Sequence, residues 1–171
     1  MRIIAGEWRW RRFEAPPTMD VRPTADRVRE SWMSILQMEI PEARVLDLCA
    51  GSGALGLESL SRGAAFVDFV ERDVRTLRVL QVNIAGLGAG GRSATHRADA
   101  ERFVAGLDPL AYDLAFADPP YKTDIARHLV DHWLSAPFAA IFGVETAKSV
   151  TLPEGGDRRT YGASAITIYR A

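Results

Sequence analysis

"VLDLCAGSGALGLE", residues 45–58, begins as an apolar run and passes through Gly51-x-Gly53-x-x-Gly56 into a stretch patterned as helix. Val45, Leu46 and Leu48 suit a buried strand. Glycines at this spacing let the chain turn tightly, approach a ligand with bare backbone and pack the next helix close to the strand. Glu71 lies twenty residues past Gly51, at the end of the following strand-like run "AFVDFVERD". A carboxylate there can accept hydrogen bonds from ribose hydroxyls. The unit reads as strand, glycine loop, helix, strand, and points to a cofactor containing a nucleoside.

Working outward, the same alternation continues. "ALGLESLSRGA" is helical and closes at Gly63, and "VRTLRVLQVNIAGLG" is a helix with Leu77, Leu80 and Ile84 on one face. "SATHRADA" is a weak third strand, "YDLAFADPP" a fourth, "TDIARHLVDHWLSA" a helix and "AAIFGVET" a fifth strand. The tail "RRTYGASAITIYRA" holds two short strands around Gly162. Strands separated by helix-length segments predict an α/β fold with a mostly parallel sheet covered on both faces, and the tail predicts an antiparallel C-terminal hairpin. Upstream, "RPTADRVRESWMSIL" predicts a helix opening at Pro23, with Thr24 as its N-cap and Val28, Trp32, Ile35 and Leu36 as its apolar stripe. Residues 1–22 form a separate basic and aromatic arm, expected as a β-hairpin, before a domain over 23–171.

The bulk numbers narrow the class. A chain of 171 residues with 47% hydrophobic and 25% charged residues is an ordinary single globular domain. One cysteine, Cys49, leaves no internal disulfide framework, and His128/His132 lacks the acidic partner of a helical zinc motif, so no metal is expected. Neither a membrane-length apolar stretch nor a signal-peptide core stands out, so a soluble cytoplasmic monomer is expected. Net charge is −1, yet residues 2–13 carry Arg2, Arg9, Arg11 and Arg12 against Glu7 alone. Aromatic rings among arginines suit RNA, which is read through phosphates, sugars and unstacked bases. Arg2, Trp8, Arg9, Arg11, Arg12 and Arg22 are the candidate RNA contacts; the plainer reading is a hairpin whose tryptophans pack and whose arginines solvate it.

Two groups of acids bear on chemistry. Asp47, four residues before Gly51, would repel a pyrophosphate but would favour the ammonium and sulfonium of S-adenosylmethionine. Asp99, with the Ala100 N–H, stands where an adenine could be met at the third strand's tip, unless it only caps a helix. The second group is Asp118-Pro119-Pro120-Tyr121 at the end of the fourth strand, where open α/β sheets bind ligands. An exocyclic amine on a base is a poor nucleophile because its lone pair is delocalised. Asp118 and the Pro119 carbonyl can accept its two N–H bonds, Pro120 stiffens the residue before it, and Tyr121 offers a face for the base. Catalysis then rests on orientation, with a base that has left its stack.

"RIIAGEWRWRRF", "RPTADRVRESWMSIL", "VLDLCAGSGALGLESLSRGA" and "FADPPY" together resemble the RsmD-like family of ribosomal RNA methyltransferases, over nearly the whole chain. The resemblance implies the Rossmann-like class I methyltransferase fold with a seven-stranded sheet, and S-adenosylmethionine as donor. It implies transfer to the N2 amine of a guanine in 16S ribosomal RNA, alone or within a small subunit or assembly intermediate. Asp47, Gly51, Ser52, Gly53, Glu71 and Asp99 would hold the donor, with Ala50, Arg72 and Ala100 beside them and Thr24 and Arg22 at the border. Asp118, Pro119, Pro120 and Tyr121 would hold the amine. The family usually reads glycine at Trp10, which here either adds a stacking surface or packs, and phenylalanine at Cys49, a smaller residue in a packed loop. Other readings are methylation of an amine in DNA, another RNA or a protein, a nicotinamide-dependent oxidoreductase, or a non-catalytic RNA-binding assembly factor.

Overall fold

The computed structural model describes residues 1–16 and 23–171, with the side chains of 23–25 excepted. Thirteen elements follow the arm: α1 (Pro23–Ile35), β1 (Arg44–Leu48), α2 (Ala54–Ser61), β2 (Phe66–Val70), α3 (Val74–Leu87), a 3-10 turn (Gly90–Arg92), β3 (Ser93–His96), α4 (Ala100–Ala105), β4 (Tyr112–Ala117), α5 (Ile125–Ser135), β5 (Ala139–Ala147), β6 (Asp157–Tyr161) and β7 (Ser164–Arg170). They build one seven-stranded sheet of order β3-β2-β1-β4-β5-β7-β6. β3 to β5 are parallel, and β7 pairs antiparallel with both β5 and β6. The strand order reverses between β1 and β4, and a ligand crevice opens outside the strand ends at such a switch.

Alternation along β1 decides the two cores. Val45 packs with α1, α2 and α3 on one face of the sheet, while Leu46 and Leu48 pack with α4 and α5 on the other. The predicted stripe of α1 is in the first core: Val28, Trp32 and Leu36 are buried, and Trp32 meets Phe116 edge to face at 5.3 Å. Gly56 permits the close approach of α2, since a Cβ there would overlap the Phe69 ring and the Asp47 carboxylate. Two expectations change. Thr24 is inside the first turn of α1, which starts at Pro23, so it does not occupy the cap position. The predicted third strand stops at His96, and α4 begins at Ala100 with Asp99 as its N-cap, accepting from the Arg102 N–H at 3.1 Å. At six residues, α4 is too short to show a helical period.

The arm is clamped to the body. Arg2 bridges Arg12 in antiparallel fashion, and Ile3, Trp8 and Phe13 are buried in the first core. The wholly buried Glu58 of α2 accepts from the N–H groups of Ile4 (2.9 Å) and Ala5 (3.0 Å) and from Arg62 Nε (2.9 Å). Buried Arg29 of α1 donates to the Arg2 carbonyl at 2.9 Å. No helix among the described residues is long and apolar enough to cross a membrane.

Candidate active site

A cavity of about 770 Å³ opens at the β1/β4 switch. Its floor is the glycine loop, its sides the tips of β1, β2, β4 and β5 and the start of α4, and the β6–β7 turn closes one edge. Asp47, Glu71, Asp99, Asp118 and Glu145 face it, with Arg72 as the one cation in its wall among the described residues. Val70, Ala98, Leu55 and Ile125 give it apolar surface. The volume is that of a pocket for a cofactor-sized molecule. A shallower hollow of about 510 Å³ shares Arg72 and Asp99 but is otherwise lined by Glu101, Arg102 and Ala105, away from the loop chemistry.

Each acid is fixed by the backbone that it serves. Asp47, 2% exposed, accepts from the Gly56 N–H at 2.9 Å. Burial pushes its carboxyl up to about 8, the Gly56 N–H opposes that, and Glu71 adds to it. Glu71 accepts from the N–H groups of Gly51 (3.0 Å) and Asp73 (2.8 Å), one on each oxygen, so each oxygen keeps a lone pair for a ligand hydroxyl. Asp99 caps α4 and stands 4.0 Å from Arg72. Asp99 therefore caps a helix and lines the cavity with one side chain. Cys49, at φ 57 in the left-handed region, is pushed up to about 12 by burial and by the surrounding acids, which leaves it an inert thiol.

β4 delivers the second half. Ala117 is in register with Val144, so the next residues, Asp118 and Glu145, emerge side by side from neighbouring strands. Asp118 is an exposed residue that lines the cavity, its carboxyl crowded by neighbouring protein. This desolvation, then Glu145 and Asp47, holds its carboxyl well above the usual range. The Pro120 carbonyl is taken by the Thr123 N–H (3.2 Å) and hydroxyl (2.8 Å), whereas the Pro119 carbonyl accepts no hydrogen bond among the described residues. The Tyr121 hydroxyl donates to Glu145 (2.8 Å) and lies 2.6 Å from Ser164 Oγ, so the ring is held while 44% of the residue stays exposed.

Several sequence-derived candidates move. Gly53 is absent from the cavity wall; it caps α2 at φ 82 and leaves room for Leu80 and Leu57. Trp8 is buried, its N–H on Ser61 Oγ at 3.0 Å and the Arg92 guanidinium 5.2 Å from its ring, so it offers no face to RNA. Arg11 donates to the Gly86 and Leu87 carbonyls at the end of α3. Arg2, Arg9 and Arg12 are exposed. Arg22 and the Thr24 side chain lie outside the described residues. Glu145 and Ser164 were missed, because nothing local marks an acid inside an apolar strand or a serine after a turn; only strand pairing brings them to Tyr121.

Comparison with known proteins follows the same outline. The family model described as "Conserved hypothetical protein 95" matches residues 1–170. The Haemophilus influenzae "Ribosomal RNA small subunit methyltransferase D" is 33% identical over 179 residues, 99% of this chain and 92% of its own. The Escherichia coli protein of that name is 38% identical over 131 residues, 77% of this chain and 65% of its own. The solved structure of Escherichia coli yhhF superposes with a TM-score of 0.86 at 32% identity, covering 99% of this chain and 97% of that one.

Proposed function

This chain belongs to the Conserved hypothetical protein 95 family, the RsmD-like group, and from that premise we propose that it methylates the N2 amine of a guanine in small-subunit ribosomal RNA. S-adenosylmethionine is the methyl donor. The observation that carries the reading is Asp118-Pro119-Pro120-Tyr121 at the mouth of an acid-lined cavity on the β1/β4 switch. Among the described residues five acidic side chains stand against one guanidinium, which suits a ligand bearing an ammonium and a sulfonium better than a pyrophosphate. In the donor subsite, Glu71 takes the ribose hydroxyls, Asp99 and the Ala100 N–H the adenine, and Gly51, Ser52 and Ala50 the amino-acid end above Asp47. Arg72 flanks Asp99.

Bound there, the donor supplies an electrophilic methyl carbon. The residues of this chain present the nucleophile. Asp118 and the Pro119 carbonyl accept the two N–H bonds of the amine and turn its lone pair toward that carbon. Tyr121, pinned by Glu145 and Ser164, stacks on the base, and Pro120 keeps the loop from relaxing. The C–N bond would form as the methyl–sulfur bond breaks and the sulfur leaves as a neutral thioether, and Asp118 is the group placed to take the proton that the nitrogen sheds. Orientation supplies most of the rate. The protein acts as a monomer on RNA presented by a small subunit or assembly intermediate, without a metal.

Labelled methyl transfer to under-methylated small subunits, their extracted RNA and DNA tests the proposal. N2-methylguanosine from a ribosomal substrate is the expected product. Label on another base, or in DNA, would overturn the substrate; donor binding without transfer to any of them would overturn the enzymatic reading.

Donor binding also carries a pH signature. Below about pH 8 Asp47 holds a proton in the free protein, and Asp118 is displaced in the same direction. A cation entering the cavity favours the carboxylates, so binding releases protons and tightens as pH rises from 6 to 8, by at most about tenfold per pH unit for each proton released. The demethylated product, lacking the sulfonium charge, shows a weaker dependence. By the same linkage the free protein loses stability as pH rises from about 4, where unfolded aspartate ionises, to about 8. Calorimetric titration in buffers of different ionisation enthalpy measures the proton release; equal, flat profiles for donor and product would contradict it.

A further inference from the structure

Trp10 stands at φ 70, in the left-handed region where a bulky side chain is an outlier, and packing does not compensate, because 56% of the residue is exposed. Its conformation is imposed by the turn. Arg9 N–H bonds the Gly6 carbonyl (3.2 Å), Trp10 N–H the Ile3 carbonyl (3.0 Å) and Arg11 N–H the Trp8 carbonyl (2.9 Å). The turn is in turn seated on α2 through Glu7 N–H to the Ser61 carbonyl (2.7 Å) and through Trp8 N–H to Ser61 Oγ (3.0 Å). The ring is thus held outward on a rigid tip. Two guanidiniums flank it, Arg2 at 4.9 Å and Arg9 at 4.7 Å from the ring centroid, and both arginines are exposed.

From this arrangement we infer that Arg2, Trp10 and Arg9 form a stacking platform for an unpaired base of the substrate RNA, outside the catalytic cavity. An indole and guanidinium planes are the surfaces on which unstacked bases settle, and the same guanidiniums meet the flanking phosphates. A rigid arm makes the platform ready before RNA arrives. The chain from Trp10 leads to Pro16 in the cavity wall, so six residues, at most about 20 Å of extended backbone, separate the platform from that edge of the cavity. One RNA strand can engage both. The platform rests on the proposed RNA substrate and adds a second contact point to it.

The other three tryptophans, Trp8, Trp32 and Trp133, are buried, so the fluorescence reached by an aqueous quencher belongs to Trp10. In the parent protein, extracted small-subunit RNA shields that component from acrylamide, and Trp10→Gly lacks it. Trp10→Gly binds the RNA about tenfold more weakly, within the range for loss of one stacked base, while its affinity for S-adenosylmethionine is unchanged and its melting temperature does not fall, since glycine relieves the backbone. Trp10→Phe restores most of the affinity. A Trp10→Gly protein that binds RNA and under-methylated subunits as the parent does, or RNA that leaves the quenching untouched, overturns the platform. If methyl transfer to ribosomal RNA persists in that case, the functional reading stands without it. A parent protein that neither binds nor methylates ribosomal RNA overturns both.

Discussion

Asp118→Ala binds S-adenosylmethionine to within about threefold of the parent protein and transfers methyl at least 10²–10³-fold more slowly, the loss known for removing one positioned polar group from an active site. The two effects separate in the proposed arrangement, where Asp118 meets the amine and Glu71, Asp99 and the glycine loop hold the donor. Removing a carboxylate that crowds Glu145 and Asp47 also relieves repulsion, so the variant is expected to fold and to be slightly more stable above neutral pH. Asp118→Asn keeps an oxygen that can accept an N–H bond but cannot take the departing proton, and falls between the two. Single-turnover transfer with donor affinity measured alongside decides it. An Asp118→Ala enzyme retaining more than a tenth of the parental rate would remove Asp118 from the amine-holding role.

The second large effect is far from the chemistry. Glu58 is fully buried and accepts from two arm N–H groups and from Arg62. Glu58→Ala leaves those donors without a partner, which costs about 3–5 kcal/mol, a large part of the 5–15 kcal/mol that holds a domain folded. In a chain of this size that is a fall of about 6 °C or more in melting temperature. Ile3, Trp8 and Phe13 lose the clamp that seats them, so protease cleavage in residues 1–16 and a red shift of Trp8 fluorescence accompany the loss. Glu58→Gln keeps one acceptor oxygen and falls short of the full effect. A melting temperature within about 3 °C of the parent for Glu58→Ala would mean that hydrophobic burial alone seats the arm.

Short-range pattern reached a long way in this chain. The glycine loop, the acids at the ends of β1 and β2 and the Asp-Pro-Pro-Tyr loop were legible because each is a backbone demand written into neighbouring residues: a tight turn, a strand tip, a stiff loop. Those demands are local, so spacing alone reveals them, and with the alternation of strands and helices they determine the parallel sheet. Short elements were less legible. α4 has too few turns to show periodicity, and the cap that starts it, Asp99, looks the same at a strand end.

Tertiary structure alone decided which side of each residue faces water and which distant residues meet. Trp8 and Trp10 are two apart in a run of arginines, and the sequence put Trp8 among the RNA contacts while leaving Trp10 either to stack or to pack. The clamp by Ser61 and Glu58 buries Trp8 and turns Trp10 outward at a left-handed φ. Glu145 and Ser164 reach Tyr121 only through the pairing of β4 with β5 and of β5 with β7. Gly53 serves Leu80 of α3 and not the cavity. Sequence therefore determined the sheet, the glycine loop and the Asp-Pro-Pro-Tyr loop, because their physics is confined to a few consecutive residues. The exposure of Trp10, the Tyr121 anchor and the arm clamp were decided in three dimensions, because each depends on contacts between segments that the chain keeps tens of residues apart.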